Sequence, residues 1–148
     1  MFHDIRDDAH EFDIFCFEPN PHLAKYHPIK NSIFINRAAW IENVTKDFYV
    51  HGLDGGSTLI PAKSEHNDRK AARRPDEFTK AHMIKVHCID LCEWIRNSFQ
   101  LDDYIILKLD IEGAEYPILD KMLYTNTIGY INRLYCEFHK ERCGITRK

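Results

Sequence analysis

The side chains of this sequence best placed to do chemistry are acids, together with one histidine, at the ends of apolar runs. Glu18 follows Asp13-Ile14-Phe15-Cys16-Phe17; Asp110 and Glu112 flank the end of the run YIILKLDI at residues 104–111; Glu137 and His139 close the run INRLYCEF at residues 131–138. In an open parallel sheet, ligands sit in the crevice beyond the carboxyl ends of the strands, so residues at those ends face whatever is bound. A carboxylate placed there offers two oxygens to a pair of ribose hydroxyls. Glu18 fits that role, with Pro19, Asn20 and Pro21 forming a turn whose φ angles the prolines restrict. The alternative is a surface carboxylate in a proline-rich turn.

Asp110-Ile111-Glu112-Gly113 carries more information. Burying even a neutral polar group without a partner costs roughly 2–7 kcal/mol, so a charge directly after so apolar a strand is expected to face the crevice. Gly113 permits a positive φ or close backbone approach at the strand-to-helix turn. The competing reading makes Asp110 a cap for a helix starting near Ala114. Two metal readings also stand: Asp110 with Glu112 could hold magnesium for hydrolytic chemistry, and Cys136, His139 and Cys143 could suggest zinc. The zinc reading lacks a fourth ligand at the usual spacing, so no metal is expected there.

The elements needed to position these residues follow from the apolar pattern. Short strands are expected over residues 13–17 and 32–36, with Ala38-Ala39-Trp40 leaving the second. A short helix is expected over 23–26, a half-exposed strand over 46–51, a turn over 52–56 and a further short strand over 57–60. Residues 62–81, which include Arg69-Lys70 and Arg73-Arg74, lack periodicity and read as an exposed charged loop, or as a basic lid over an anionic substrate. Beyond them the pattern predicts a strand over 83–89 and a helix after Asp90 with Leu91, Trp94, Ile95 and Phe99 on its apolar face. A strand over 104–111, near-continuously apolar as strands buried on both faces of a parallel sheet are, a helix over 114–124 and a strand over 131–138 follow. Strands alternating with helices predict an α/β fold with right-handed crossovers and a mostly parallel sheet.

The bulk numbers exclude several classes. At 148 residues with 44% hydrophobic content, the chain is sized for one domain. Twenty basic against twenty-three acidic residues give a formal charge of −3, so no global positive field favours nucleic acid. No apolar run approaches the roughly 18 residues of a membrane span, which predicts a soluble, cytoplasmic protein. The five cysteines are an odd number, and Cys16, Cys88 and Cys136 sit inside apolar runs, as reduced buried thiols do.

Phe17-Glu18-Pro19-Asn20-Pro21, together with Lys108-Leu109-Asp110-Ile111-Glu112-Gly113-Ala114-Glu115-Tyr116 and the following Leu119, resembles the paired signature of FkbM-type methyltransferases. Weaker matches occur in the same order at Gly56-Ser57-Thr58-Leu59, at Ile89-Asp90-Leu91 with Trp94, and at Glu137-Phe138-His139. The similarity spans residues 12–139.

The resemblance implies a Rossmann-like class I methyltransferase fold that binds S-adenosylmethionine and methylates a hydroxyl of a sugar or small metabolite. Glu18 would hold the ribose, with Pro19 and Asn20 in its turn, and Ala38 and Ala39 would lie near the adenine. Asp110 and Glu112 would sit near the methyl donor and acceptor, and Asp110, His139 and then Glu112 are the candidates for the base that O-methylation often needs. The pattern departs in two respects: these enzymes carry a glycine-rich strand end well before the FEPNP-like strand, and no glycine precedes Glu18 here; they also usually continue past the Glu-x-His strand into a further helix and a closing hairpin, whereas this sequence stops at Lys148. A partial domain, truncated at both ends, is therefore expected to bind S-adenosylmethionine poorly alone, or to need a second copy or a partner chain to complete its sheet. A non-catalytic remnant serving binding or oligomerisation is the alternative, and a metal-dependent hydrolase a third.

Overall fold

A computed structural model describes residues 11–21, 23, 32–51, 56–65, 68 and 82–139. Strand β1 is Ile14–Phe17, β2 Ser32–Ile35, β3 Ala38–Trp40, β4 Thr45–Val50 and β5 His82–Asp90; helix α1 is Leu91–Ser98, β6 Ile105–Leu109, α2 Glu115–Tyr124 and β7 Ile131–Cys136. A 3-10 turn over Thr127–Tyr130 leads into β7. The helix expected over 23–26 lies outside the described residues except for Leu23, as do Arg69-Lys70, Arg73-Arg74 and Cys143.

The fold is mixed α/β, but the strands do not form one parallel sheet. Among the described residues β1 pairs with β2, β5 lies between β3 and β4, and β6 pairs with β7. The β1–β2, β3–β5 and β6–β7 ladders are parallel, whereas β4 runs antiparallel to β5. The antiparallel pair follows from its alternation. In β5, Val86, Cys88 and Asp90 are buried while Lys85 and His87 are exposed, and in β4 Phe48 and Val50 are buried. One buried and one solvated face is the pattern an antiparallel pair tolerates. Ala38-Ala39-Trp40, expected to leave the second strand, forms β3 itself, and the strand expected over 57–60 is reduced to a single bridge between Thr58 and Tyr49.

Helix α1 begins as its sequence predicts. The Asp90 side chain accepts the Glu93 backbone N–H at 3.1 Å, which satisfies one of the helix's orphan donors. Its other oxygen meets Lys121 Nζ of α2 at 2.5 Å, so one carboxylate ties the end of β5 to both helices. Leu91, Cys92 and Ile95 of α1 and Ile118 and Met122 of α2 complete the core over Val86 and Cys88. Trp94 receives Phe15 and Phe17 edge-on, with ring centroids 5.2 and 4.9 Å away, a geometry worth about 0.5–1.5 kcal/mol per pair beyond area. These rings dock β1 onto α1.

Two expectations about burial need correction. The apolar strand at β6 was expected to be covered on both faces, yet only Leu109 is fully buried. Among the described residues β6 has β7 as its sole strand neighbour, so its upstream half lacks the second neighbour that doubly covered strands have. Conversely, residues 61–65 are helical rather than loop, with Lys63 and Ser64 buried at 0% and 3% exposure. No helix among the described residues is long and apolar enough to cross a membrane.

Candidate functional site

The parallel β6–β7 ladder sets the site. Leu109 stands opposite Cys136, and the Glu137 backbone N–H donates to Leu109 O at 2.9 Å, so the loop after β6 and the segment after β7 leave from the same end. Asp110, Glu112 and His139 meet there, each offering a ligand-type atom within 4.8 Å of the others. Glu137 joins them, and all four were singled out from strand-end position alone. Asp110 is exposed and pairs with Lys108 Nζ at 2.9 Å. It caps nothing: Ala114 occupies the cap position of α2, which has no side-chain cap.

The loop itself is tightly wound. Glu112 and Gly113 both have positive φ, 54° and 107°; glycine adopts this freely, but for glutamate the left-handed region costs roughly 1–2 kcal/mol. Glu112 is held there from both sides. Thr58 Oγ1 donates to its carbonyl oxygen at 2.7 Å, and Lys63 Nζ stands 2.5 Å from its Oε2. Glu115, fully buried, completes the loop: Oε1 accepts the Ile111 N–H at 2.9 Å and Oε2 the Gly113 N–H at 2.8 Å.

His139 is buried against this framework, its side chain 7% exposed. Its Nδ1 lies 3.0 Å from Glu115 Oε1, and its Nε2 lies 3.6 Å from both Glu112 Oε2 and Glu137 Oε1. Asp110, Glu112 and His139 lie close enough together to hold a cation, although Lys63 already sets an ammonium on Glu112 Oε2. Cys136 sits beside the cluster, its thiol pushed up from the ordinary range first by burial and then by the negative charges of Glu115 and Asp110.

Glu18 ends β1, whose ladder continues through the Glu18 N–H donating to Ile35 O at 3.1 Å. Its Oε1 accepts the Asn20 N–H at 2.7 Å. Asn36 Nδ2 donates to the backbone oxygens of Glu18 and Pro19 at 2.8 and 3.3 Å, closing the turn onto β2. Burial raises the Glu18 carboxyl from its ordinary value, and the Asn20 hydrogen bond partly offsets this. Asn20 is buried, Ala38 packs in the core of the three-stranded sheet, and Ala39 is half-buried beside it.

Sequence reasoning missed Lys63, Thr58, Glu115 and Asn36. Glu115 and Thr58 stood inside quoted motif matches without a role, while Lys63 was absorbed into the charged segment at 62–81.

No curated protein and no solved structure that the chain was compared with matches it. The family model of the methyltransferase FkbM domain matches residues 1–144, most of the chain and all of the site just described. The chain belongs to the FkbM methyltransferase-domain family.

Proposed function

We propose that this methyltransferase-family domain transfers a methyl group from S-adenosylmethionine to a hydroxyl of a sugar or small metabolite, with His139 as the base. The observation that carries this reading is the meeting of His139 Nε2 with the carboxylates of Glu112 and Glu137, each 3.6 Å away. S-adenosylmethionine supplies an electrophilic methyl on sulfonium, so the acceptor oxygen bonds to that carbon as the carbon–sulfur bond breaks and its electron pair passes to sulfur.

Glu18 fits the ribose end of such a cofactor. One oxygen is anchored by the Asn20 N–H, while Oε2 has no hydrogen-bond partner among the described residues. A desolvated carboxylate with an open oxygen suits a vicinal diol, whose hydroxyls are donors. Pro19 and Asn20 shape the turn, and Ala38 and Ala39 remain the proposed adenine neighbours. At the other end, Asp110 orients the acceptor hydroxyl, and His139 Nε2 takes its proton as the new bond forms. The imidazolium produced faces Glu112 and Glu137. Lys63 keeps the Glu112 side chain from swinging onto the substrate by pairing with it.

A second copy or a partner chain completing the sheet belongs to the same proposal. Among the described residues β1 pairs only with β2 and β6 only with β7, and an unpaired strand edge is a template for another strand. Release of S-adenosylhomocysteine on incubation with hydroxyl acceptors, slowed by roughly 10²-fold or more but still measurable in His139→Gln, is the expected result. Magnesium-dependent hydrolysis without consumption of S-adenosylmethionine would replace this reading by the hydrolase one.

A further inference from the structure

We propose that Glu115 is the positioning residue of the site: it fixes which nitrogen of His139 carries the proton, and so places the lone pair of the neutral ring on Nε2. The inference rests on the methyl-transfer reading above for its purpose, but its evidence is independent of that reading.

Glu115 is fully buried, and both of its oxygens are already committed to backbone donors, Oε1 to the Ile111 N–H and Oε2 to the Gly113 N–H. A carboxylate so engaged is an acceptor only. The third group against it is His139 Nδ1, 3.0 Å from Oε1. That nitrogen must therefore donate, and the neutral ring has its lone pair on Nε2, the atom that faces Glu112 and Glu137. The tautomer of an imidazole is set by the hydrogen bond its other nitrogen makes, and a carboxylate holding Nδ1–H is the arrangement that orients a general base in acyl transfer.

The arrangement also links the base to the turn that carries its neighbour. Glu115 holds the two N–H groups that flank Glu112, so one buried carboxylate sets both the strained Glu112 backbone and the His139 ring. Glutamine cannot reproduce this. Its amide has one acceptor oxygen, so in either orientation its NH2 group is turned toward a backbone N–H.

The test is nitrogen NMR of the full chain labelled in its histidine rings, with His139 assigned by the signal lost in His139→Gln. At a pH where the ring is neutral, the proton should reside on Nδ1. A wild-type ring with its proton on Nε2 would overturn the proposal whatever the activity. Glu115→Gln should disturb that tautomer and lower kcat by roughly 10²-fold or more, with KM nearly unchanged. In a His139→Gln background the same change should cost no further rate, because the group it positions is gone. A folded Glu115→Gln protein turning over at the wild-type rate, or an equal rate loss in both backgrounds, would reduce Glu115 to a loop-holding role and overturn the proposal. Should Glu115→Gln not fold, Glu115→Asp is read by the same cycle. A Nδ1–H ring in a protein that methylates no hydroxyl would instead remove the methyl-transfer reading and leave the Glu115–His139 pair standing.

Discussion

Lys63 Nζ lies 2.5 Å from Glu112 Oε2, and the lysine side chain is 1% exposed against 21% for the glutamate. An ammonium so buried is tolerable only because its partner is charged. The pair therefore pins the helical segment at 61–65 to the loop that carries the site. Thr58, a few residues earlier, binds the same glutamate through its carbonyl oxygen, so side chain and backbone of Glu112 are gripped by one stretch of chain.

Removing the ammonium should consequently be costly. Lys63→Met is expected to lower stability by about 3 kcal/mol, the lower end of the range for breaking a buried pair, since part of Glu112 still reaches water. Urea unfolding measures it. A loss below about 1 kcal/mol would class the contact with ordinary surface pairs.

The left-handed backbone of Glu112 gives a second prediction. In the Lys63→Met background, which removes the charge pairing from the comparison, Glu112→Gly should be more stable than Glu112→Ala by about 1 kcal/mol, because only the alanine keeps a Cβ at φ 54°. Equal stabilities would mean that the loop relaxes once the side chain is gone.

Strand ends were legible in the sequence because a charge following an apolar run has few places to go. Asp110, Glu112, Glu137 and His139 were found that way, and the structure brings them together. Lys63 was not legible, since a lysine in a charged stretch reads as solvated until its partner, far along the chain, is known. Glu115 has the same difficulty: an acid in a helix's first turn is favourable for the dipole alone, and nothing local reveals that it is buried under His139. The sheet was legible in its alternation of strands and helices but not in its pairing, as the antiparallel β4–β5 ladder depends on which strands find each other across residues 51–81.

Glu18 should separate stability from binding. A carboxyl raised by burial contributes stability that is full below its ordinary value and is lost as pH rises through the folded value. At neutral pH the ionised group is therefore a net burden on the fold. Glu18→Gln should leave thermal stability unchanged or higher at pH 7 and flatten its decline above the acid range. The same change should weaken S-adenosylmethionine binding by about 1–3 kcal/mol in the binding-competent assembly, the range for charge-assisted hydrogen bonds. Unaltered affinity by calorimetry would remove Glu18 from the cofactor site.

Asp110 tests the acceptor side. Its carboxylate is exposed and paired with Lys108 at 2.9 Å, a contact worth about 1 kcal/mol or less at a surface, so Asp110→Asn should fold as the wild type does. The substitution keeps the shape of the side chain and removes its charge. If Asp110 holds the acceptor hydroxyl in line with the methyl group while His139 takes the proton, misplacement of that hydroxyl should lower kcat by roughly 10²-fold. Cofactor affinity should stay within about twofold, because no binding contact to the donor is lost. Measured side by side, calorimetry and initial rates separate the two roles. A parallel fall in cofactor affinity and rate would place Asp110 against the methyl donor instead, and leave the orientation of the acceptor to Glu112 and Glu137 beside His139.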